Sequence, residues 1–181
     1  MTFKDEDDFV VSVSAVAPPE FDDGTREARG FVLSISAEGM VLNSYDDVPT
    51  QGKKASGVKL MKLDEKDRII FAQHNDGSGE VLSVSDSGYA KRVILGCIEP
   101  RMRMSKGVKL SDSKAGECIY ADLVTIPYDF ALIFPGGEVR SINTEQIPID
   151  ERTNKGKNII KSVAKDKNVM TIGDAKRHNI K

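Results

Sequence analysis

Short runs in which apolar and polar residues alternate, separated by glycine-containing turns, recur along this chain of 181 residues. Such alternation is typical of β-strands with one buried face. In the first full unit it predicts strands over about 31–36, 40–44, 57–63 and 68–73. The turn at residues 37–39 places a glycine where a hairpin favours positive φ, and no stretch predicts a helix longer than one turn.

This pattern returns at a nearly fixed spacing. Residues 31–39 match residues 80–88 and 129–137, at a shift of 49 residues each time. Later in each unit a glycine-centred stretch also returns, at residues 56–60, 106–110 and, more weakly, 155–159. A period of 20–50 residues indicates a repeat architecture, because one such unit cannot bury its apolar face alone. We therefore predict an all-β, propeller-like fold of about three to four blades.

The repeats predict one domain over residues 1–181. Residues 4–16 resemble the closing strand of the first full unit, so residues 1–29 are interpreted as an orphan strand plus a loop, left from a repeat whose earlier part is missing. The remaining boundaries are 30–79, 80–128 and 129–173 for the three repeats and 174–181 for a basic tail.

Net charge is −2, but it is unevenly distributed. Residues 1–29 carry 3 basic and 8 acidic side chains, residues 30–150 carry 14 and 17, and residues 151–181 carry 9 and 3. The whole-chain balance therefore hides a basic C-terminal part, and nucleic-acid binding depends on local basic surface more than on the total.

Several classes of protein are disfavoured by the sequence. No apolar run reaches the roughly 18–20 residues of a membrane helix, and the acidic N-terminus lacks the features of a signal peptide, so no membrane partner is expected and the cytoplasm is the predicted location. Cys97 and Cys118 stand in apolar, strand-like settings and are predicted to be two buried thiols. His74, in a predicted linker, and His178, in the tail, have no partner residues at catalytic or metal-binding spacing. We expect no catalytic residues, metal or cofactor, and no enzyme activity from this chain by itself.

Basic residues recur beside the glycines of the repeats. Lys53, Lys54 and Lys59 surround Gly57, and similar groups surround Gly107 and Gly156. If blades stack around an axis, equivalent positions lie on one rim, where they could hold the phosphates of duplex DNA without reading bases. The same residues are also compatible with ordinary solvated side chains. The predicted DNA-binding residues are Lys53, Lys54, Lys59, Lys91, Arg92, Arg101, Arg103, Lys106, Lys109, Arg140, Arg152, Lys155 and Lys157.

Two strings resemble a known family. Residues 88–92 (GYAKR), followed after a loop by residues 105–110 (SKGVKL), are similar to the repeat of the C-terminal domain of bacterial DNA gyrase and topoisomerase IV A subunits. The resemblance covers about residues 4–173 and is best over 57–110. It implies a β-pinwheel, in which four-stranded blades exchange strands with their neighbours and a basic rim wraps double-stranded DNA. It also implies that the rest of a topoisomerase A subunit is a partner.

The sequence also departs from that family. Gyrase carries a box resembling Q-R-R-G-G-K-G, whereas residues 51–57 here (QGKKASG) keep only the first glutamine and the last glycine. The family usually has five or six blades, and this chain has three full units plus the orphan strand. These differences favour a diverged, topoisomerase IV-like or phage-encoded version, and the partial ring predicts a homodimer that closes it.

Two functions follow from these observations. The first is a non-catalytic DNA-binding and DNA-wrapping domain of a type IIA DNA topoisomerase. The second is a propeller-like protein-interaction scaffold without DNA affinity, which the net charge of −3 over residues 30–150 favours.

Overall fold

The structure, a computed structural model, describes residues 9–15, 30–53, 55–133, 137, 139–159 and 171–174. Within these ranges it contains eleven β-strands and three 3-10 helices of three residues each. The predicted all-β, propeller-like fold is confirmed. The short helices are Leu95–Cys97, Ser113–Ala115 and Thr144–Gln146.

The strands form three antiparallel sheets. The first has the order β3-β1-β2-β6, built from β1 (Phe31–Ser36), β2 (Met40–Tyr45), β3 (Ile69–Asn75) and β6 (Val108–Lys109). The second has the order β7-β4-β5-β10, built from β4 (Glu80–Ser85), β5 (Tyr89–Ile94), β7 (Cys118–Val124) and β10 (Lys157–Asn158). The third has the order β11-β8-β9, built from β8 (Asp129–Ile133), β9 (Val139–Asn143) and β11 (Thr171–Asp174).

Neighbouring repeats exchange strands. β6 belongs to the second repeat but pairs with β2 of the first sheet, where Val108 lies opposite Val41. β10 belongs to the third repeat but pairs with β5 of the second sheet, where Lys157 lies opposite Ala90. The first and second sheets are therefore each completed by a strand from the next repeat, as the family resemblance implied.

Glycine makes this exchange possible. Gly107 and Gly156 directly precede the exchanged strands and have φ angles of 77° and 81°, a region that side chains with a Cβ atom rarely adopt. A Cβ atom on Gly107 would lie 2.5 Å from the carbonyl oxygen of Val41, and one on Gly156 would lie 2.6 Å from that of Ala90. Since neither carbonyl can move without breaking its sheet, both positions require glycine.

The hydrophobic core lies between the sheets rather than within any one of them. One cluster joins Leu33 and Ile35 of β1 to Val81 of β4 and Leu123 of β7. A second cluster joins the opposite face of β4, through Leu82 and Val84, to the third sheet. Its members in and around the third sheet are Tyr128, Phe130, Leu132 and Ile147. β4 is therefore buried on both faces, and its residues 81–85, serines included, are all buried.

The same edge of each sheet faces inward. β3 contacts β7, and β7 contacts β11, so these strands converge toward a common centre. β6 and β10 occupy the opposite edge of their sheets and therefore lie on the periphery. We call the strands β6 and β10, with the residues 57–60 that are equivalent to them, the outer rim.

Some predicted strands are wrong. Residues 57–63 form no strand. Residues 9–15 are the described part of the predicted orphan strand; they are exposed and form no strand either. One hydrogen bond connects them to β3: the hydroxyl of Ser12 donates to the Ala72 carbonyl at 2.7 Å. Basic and apolar residues alternate from Arg101 to Met104, as they would along a strand, but a turn interrupts them at Arg103 and Met104. Met104 has a positive φ of 65°, and both Met102 and Met104 are exposed rather than packed.

Two polar or reactive residues also differ from expectation. Cys118 is buried as predicted, but Cys97 is exposed because the 3-10 helix Leu95–Cys97 turns Leu95 inward and Cys97 outward. His74 lies within β3 instead of a linker, and its Nε2 atom is 3.5 Å from the Asp46 carboxylate.

We predict that Gly156→Ala destabilises the protein much more than Gly137→Ala. Both glycines have a positive φ, but no described atom lies within 4 Å of a Cβ on Gly137. Gly137→Ala should therefore cost only the backbone strain of about 1–2 kcal/mol, and Gly156→Ala should cost at least about 2 kcal/mol more. Urea unfolding of the two variants measures this. Equal losses would show that the close approach to Ala90 does not determine the need for glycine.

Candidate nucleic-acid interface

The exchanged strands carry basic side chains on the outer rim. Lys109 in β6 and Lys157 in β10 are exposed. Lys59, which the sequence aligns with Lys109, is also exposed. The fold therefore brings basic residues from three repeats to the periphery.

An arginine links each pair of successive repeats along this rim. Arg103 of the second repeat donates from its guanidinium to the Lys59 carbonyl of the first repeat, at 3.0 Å. Arg152, at the equivalent position of the third repeat, donates to the Lys109 carbonyl of the second. The loop beside Arg103 adds two backbone hydrogen bonds between the same repeats, from Met104 to Leu60 at 2.7 Å and from Lys62 to Ser105 at 3.0 Å. Each arginine thus lies beside the rim lysine of the preceding repeat.

The remaining predicted residues are positioned by other elements. Lys155 is half-buried, and its Nζ atom lies 4.2 Å from the centroid of the Tyr89 ring, a cation–π contact that holds the ammonium at the surface. Arg101 is exposed next to β2, where it forms an isolated bridge with Ser44. Lys53 is exposed in a loop and Arg140 is exposed on β9. Lys54 lies outside the described residues.

Three of the predicted cations are paired with carboxylates. Arg103 contacts Asp47 at 2.6 Å, Lys106 contacts Asp64 at 2.7 Å, and Arg92 contacts Glu80 at 2.5 Å. The hydrogen bond that Lys106 donates to the Asp64 carboxylate raises the pKa of Lys106. These pairs reduce the net positive charge of the rim. Among the described residues, no ion pair joins a carboxylate to the other rim-side cations Lys53, Lys59, Arg101, Lys109, Arg152, Lys155 and Lys157.

Lys91 is not on the surface, so this predicted DNA-binding residue requires correction. Its side chain is 1% exposed, and its Nζ atom donates to the carbonyls of Glu151, Arg152 and Asn154 at 2.9, 2.6 and 2.6 Å. Burial lowers the pKa of Lys91 to about 8, although the nearby Asp150 opposes this shift. Lys91 therefore fastens the loop of the third repeat onto β5 and has no path to a phosphate.

Arg92 is similarly engaged. Its guanidinium contacts Glu80, its Nε atom donates to the Ile147 carbonyl at 2.9 Å, and its side chain is only 13% exposed. The alternation of a strand gives the physical reason for both corrections. Successive side chains of β5 point to opposite faces, and in this central position both faces are covered.

The loop that stands in place of the gyrase-type box is closed by the two residues it retains. The backbone N–H of Gly57 donates to the Oε1 atom of Gln51 at 3.2 Å, and Ala55 donates to the Gly52 carbonyl at 3.0 Å. The glutamine and the glycine thus determine the shape of the loop, which presents Lys53 to solvent.

Sequence reasoning missed two features of this surface. Tyr89 supports Lys155, although in the sequence Tyr89 stands out only as part of a repeated string. Asp47 and Asp64 neutralise rim cations, and they lie 56 and 42 residues from their partners, so no local signal could have paired them.

In the ranges that the structure describes, no group of three or more His, Cys, Asp or Glu side chains could hold a metal ion. The buried carboxylate Asp122 accepts a hydrogen bond of 2.5 Å from the hydroxyl of Tyr128, which also contacts Tyr120. Burial and the hydrogen bond to Asp122 raise the pKa of Tyr128, so its hydroxyl stays protonated and links β7 to the segment that leads into β8. None of the described helices has the length and apolarity needed to cross a bilayer.

Sheets completed by strands from the next repeat define a β-pinwheel, a propeller-like class of repeat protein. A family described as "DNA gyrase C-terminal domain, beta-propeller" matches residues 30–74 and 79–117. The chain is also 28% identical over 145 residues to the DNA gyrase A subunit of Klebsiella oxytoca, a match that covers 78% of this chain and 16% of that protein. These matches confirm the predicted resemblance to the C-terminal domain of the DNA gyrase A subunit.

Solved structures share the fold. The DNA gyrase A C-terminal domain superposes with a TM-score of 0.68 at 19% identity, covering 83% of this chain and 52% of that one. The C-terminal domain of DNA topoisomerase IV also gives a TM-score of 0.68, covering 79% of this chain and 46% of that one. The chain therefore spans about half of these domains and about one sixth of the gyrase A subunit it matches.

We predict that Lys91→Met lowers the free energy of unfolding by about 1–3 kcal/mol, because it leaves three carbonyls at β5 without their donor. Urea unfolding measures the loss. Lys114→Met is the control, since Lys114 is exposed and its side chain makes no ion pair with any described residue. A stability equal to that of the wild type would show that the loop does not depend on Lys91.

The contribution of Lys91 should also depend on pH. Its pKa is about 8 in the folded protein and about 10.5 in the unfolded chain, so between these values only the unfolded state keeps the proton. The free energy of unfolding due to Lys91 therefore rises with pH across this window. We expect the stability gap between the wild type and Lys91→Met to widen from pH 7.5 to pH 9.5. A gap that narrows would show that the carbonyls hold the ammonium charged.

Proposed function

We propose that this chain is a non-catalytic DNA-binding and DNA-wrapping domain of a type IIA DNA topoisomerase A subunit. Duplex DNA is held on the outer rim by contacts to its phosphates. The observation that carries this proposal is the repeated arginine link, in which Arg103 lies beside Lys59 and Arg152 lies beside Lys109.

That link makes the basic surface continuous from one repeat to the next. Each arginine uses part of its guanidinium on the carbonyl of the preceding repeat, so its position on the rim is determined by the backbone rather than by a flexible stem. Fixed cations suit a polyanion, because less side-chain entropy is lost when a phosphate binds. DNA carries one negative charge per about 1.7 Å of its axis, so a curved row of cations favours a bent path.

The interface reads no sequence in this proposal. The cations that have no carboxylate partner among the described residues are lysines and arginines on edge strands and loops, and no helix is available there to enter a groove. Phosphate contacts determine position and carry no base information. We therefore exclude Lys91 and Arg92 from the proposed interface, and keep the exposed residues of the predicted set.

The same resemblance leads us to propose the remainder of a topoisomerase A subunit as the partner that would perform strand cleavage, with this chain supplying no catalytic residue. The wrapped segment would then be delivered to that partner.

A protein-interaction scaffold is the second candidate. The observation that favours it is the pairing of Arg103 and Lys106 with Asp47 and Asp64, which neutralises two cations beside the rim. A surface of mixed charge binds proteins more readily than it binds DNA. The two candidates differ in the salt dependence of DNA binding.

We predict that Lys109→Glu and Lys157→Glu together weaken binding to any duplex roughly tenfold and lower the slope of log affinity against log salt by about 2, one for each lost phosphate contact. Fluorescence anisotropy with two unrelated duplexes of about 40 base pairs at several salt concentrations measures both quantities. Both residues are exposed on edge strands, so the folded state should be retained.

Lys114→Glu is the matched control for this charge reversal. Lys114 is exposed, but it lies in the short helix that leads into the inner strand β7. Its substitution should leave the affinity within about twofold of the wild type. An absence of binding by the wild type at low salt would contradict the proposed function and favour the scaffold, and a loss confined to one duplex would contradict phosphate-only contact.

A further inference from the structure

Residues 57–60 align in sequence with the exchanged strands β6 and β10, but no described strand pairs with them. Gly57 has a φ angle of 79°, within a few degrees of Gly107 and Gly156. Around Gly107 and Gly156 an acceptor carbonyl lies 2.5–2.6 Å from the position of a Cβ atom, whereas around Gly57 no described atom lies within 4 Å. Gly57 therefore has the φ of these two glycines without the described carbonyl neighbour that each of them has. We call residues 57–60 the donor arm.

The third sheet lacks the strand that such an arm would supply. Its order is β11-β8-β9, and among the described residues nothing pairs with the outer side of β9, where β2 accepts β6 and β5 accepts β10. The exposed fractions of equivalent side chains in β2, β5 and β9 show the effect of this difference in strand pairing. Val41 of β2 and Ala90 of β5 are 0% and 1% exposed, whereas Val139, at the same place in β9, is 60% exposed.

We infer that the donor arm of one copy of this chain completes the third sheet of a second copy, so that two chains close a ring by reciprocal strand exchange. The observed register defines the contact. Val108 lies opposite Val41 and Lys157 opposite Ala90, so Val58 of one copy lies opposite Val139 of the other. Leu60, half-buried here, takes the place of Leu110, which is fully buried in the first core cluster.

The turn that precedes β9 already has the backbone geometry of the turns in the two sheets that accept an exchanged strand. In the two occupied sheets the residue that ends the arm donates its N–H to a turn glycine: Leu110 to the Gly39 carbonyl at 2.7 Å, and Ile159 to the Gly88 carbonyl at 2.9 Å. The equivalent pair across the new contact is Leu60 and Gly137. Gly137 has a φ angle of 84°, close to the 76° of both Gly39 and Gly88.

Donor and acceptor lie on different repeats of the same chain, which favours a second copy as the occupant. The contact is head-to-tail, and such contacts either close into a ring or continue into a fibre. Closure by a two-fold axis uses both arms and both β9 edges. It leaves no such edge open, which removes an aggregation hazard.

The mass of the full chain in solution is the first test. Light scattering coupled to size-exclusion chromatography should give about twice the chain mass of 19.8 kDa at tens of micromolar protein. Val139→Asp should return the protein to a monomer, since it places a charge where the arm docks while the single chain already exposes this residue. Ile126→Asp is the matched control, because Ile126 is an exposed apolar residue (69%) outside both β9 and the donor arm, and it should remain dimeric.

Site-directed cross-linking tests the register itself. In a Cys97→Ser background, which removes the exposed thiol, Val58→Cys mixed with Val139→Cys should form a disulfide-linked dimer under mild oxidation. Val58→Cys mixed with Ser141→Cys should not, because Ser141 is two residues further along β9, about 6–7 Å away. Equal cross-linking of both mixtures, a wild type that stays monomeric at every concentration, or a ladder of larger species would overturn the inference.

Discussion

The exchange of short strands between repeats is the interaction on which the rest of this structure depends. Two residues of β6 and two of β10 complete sheets that belong to the preceding repeats. Those contacts are small in area, but they bring the loops of each repeat over the previous one. The inter-sheet clusters, the burial of Val41 and Ala90, and the placement of the rim cations all follow from them. Because Gly107 and Gly156 approach a carbonyl so closely, the exchange is a matter of backbone geometry first and of side-chain packing second.

One repeated position shows how far the copies have diverged within that shared geometry. Leu42, Lys91 and Arg140 occupy the same place in β2, β5 and β9. The leucine is buried, the lysine is buried beneath three backbone carbonyls, and the arginine is exposed on β9. A basic residue at this place is therefore a buried, structural residue in β5 and an exposed residue in β9. Its place in the repeat alone does not determine whether such a residue is buried or exposed, because that depends on whether the following repeat covers it.

The outer rim carries cations that can attract an anion, and nearby carboxylates neutralise some of the cations beside it. Arg103 and Arg152 connect successive repeats, while Asp47 and Asp64 reduce the charge of the first-to-second junction. The third repeat carries Arg152, Lys155 and Lys157 without a carboxylate partner among the described residues. The positive surface therefore strengthens toward the C-terminal part, in agreement with the excess of basic residues there. This gradient gives the proposed DNA path a direction along the molecule.

The sequence by itself determined the repeat, the hairpins and the resemblance to the gyrase A C-terminal domain, because alternation and turn glycines are local signals. It located β1 and β2 nearly to the residue and β3 to within two residues. It could not show that residues 57–63 form no strand, since a strand exists only where a partner lies beside it. It placed Lys91 on the surface and Cys97 in the interior, and both were wrong for a related reason: burial is decided by segments that arrive from elsewhere in the chain. Only the tertiary structure shows which repeat covers which, and so which cations are left to meet a ligand.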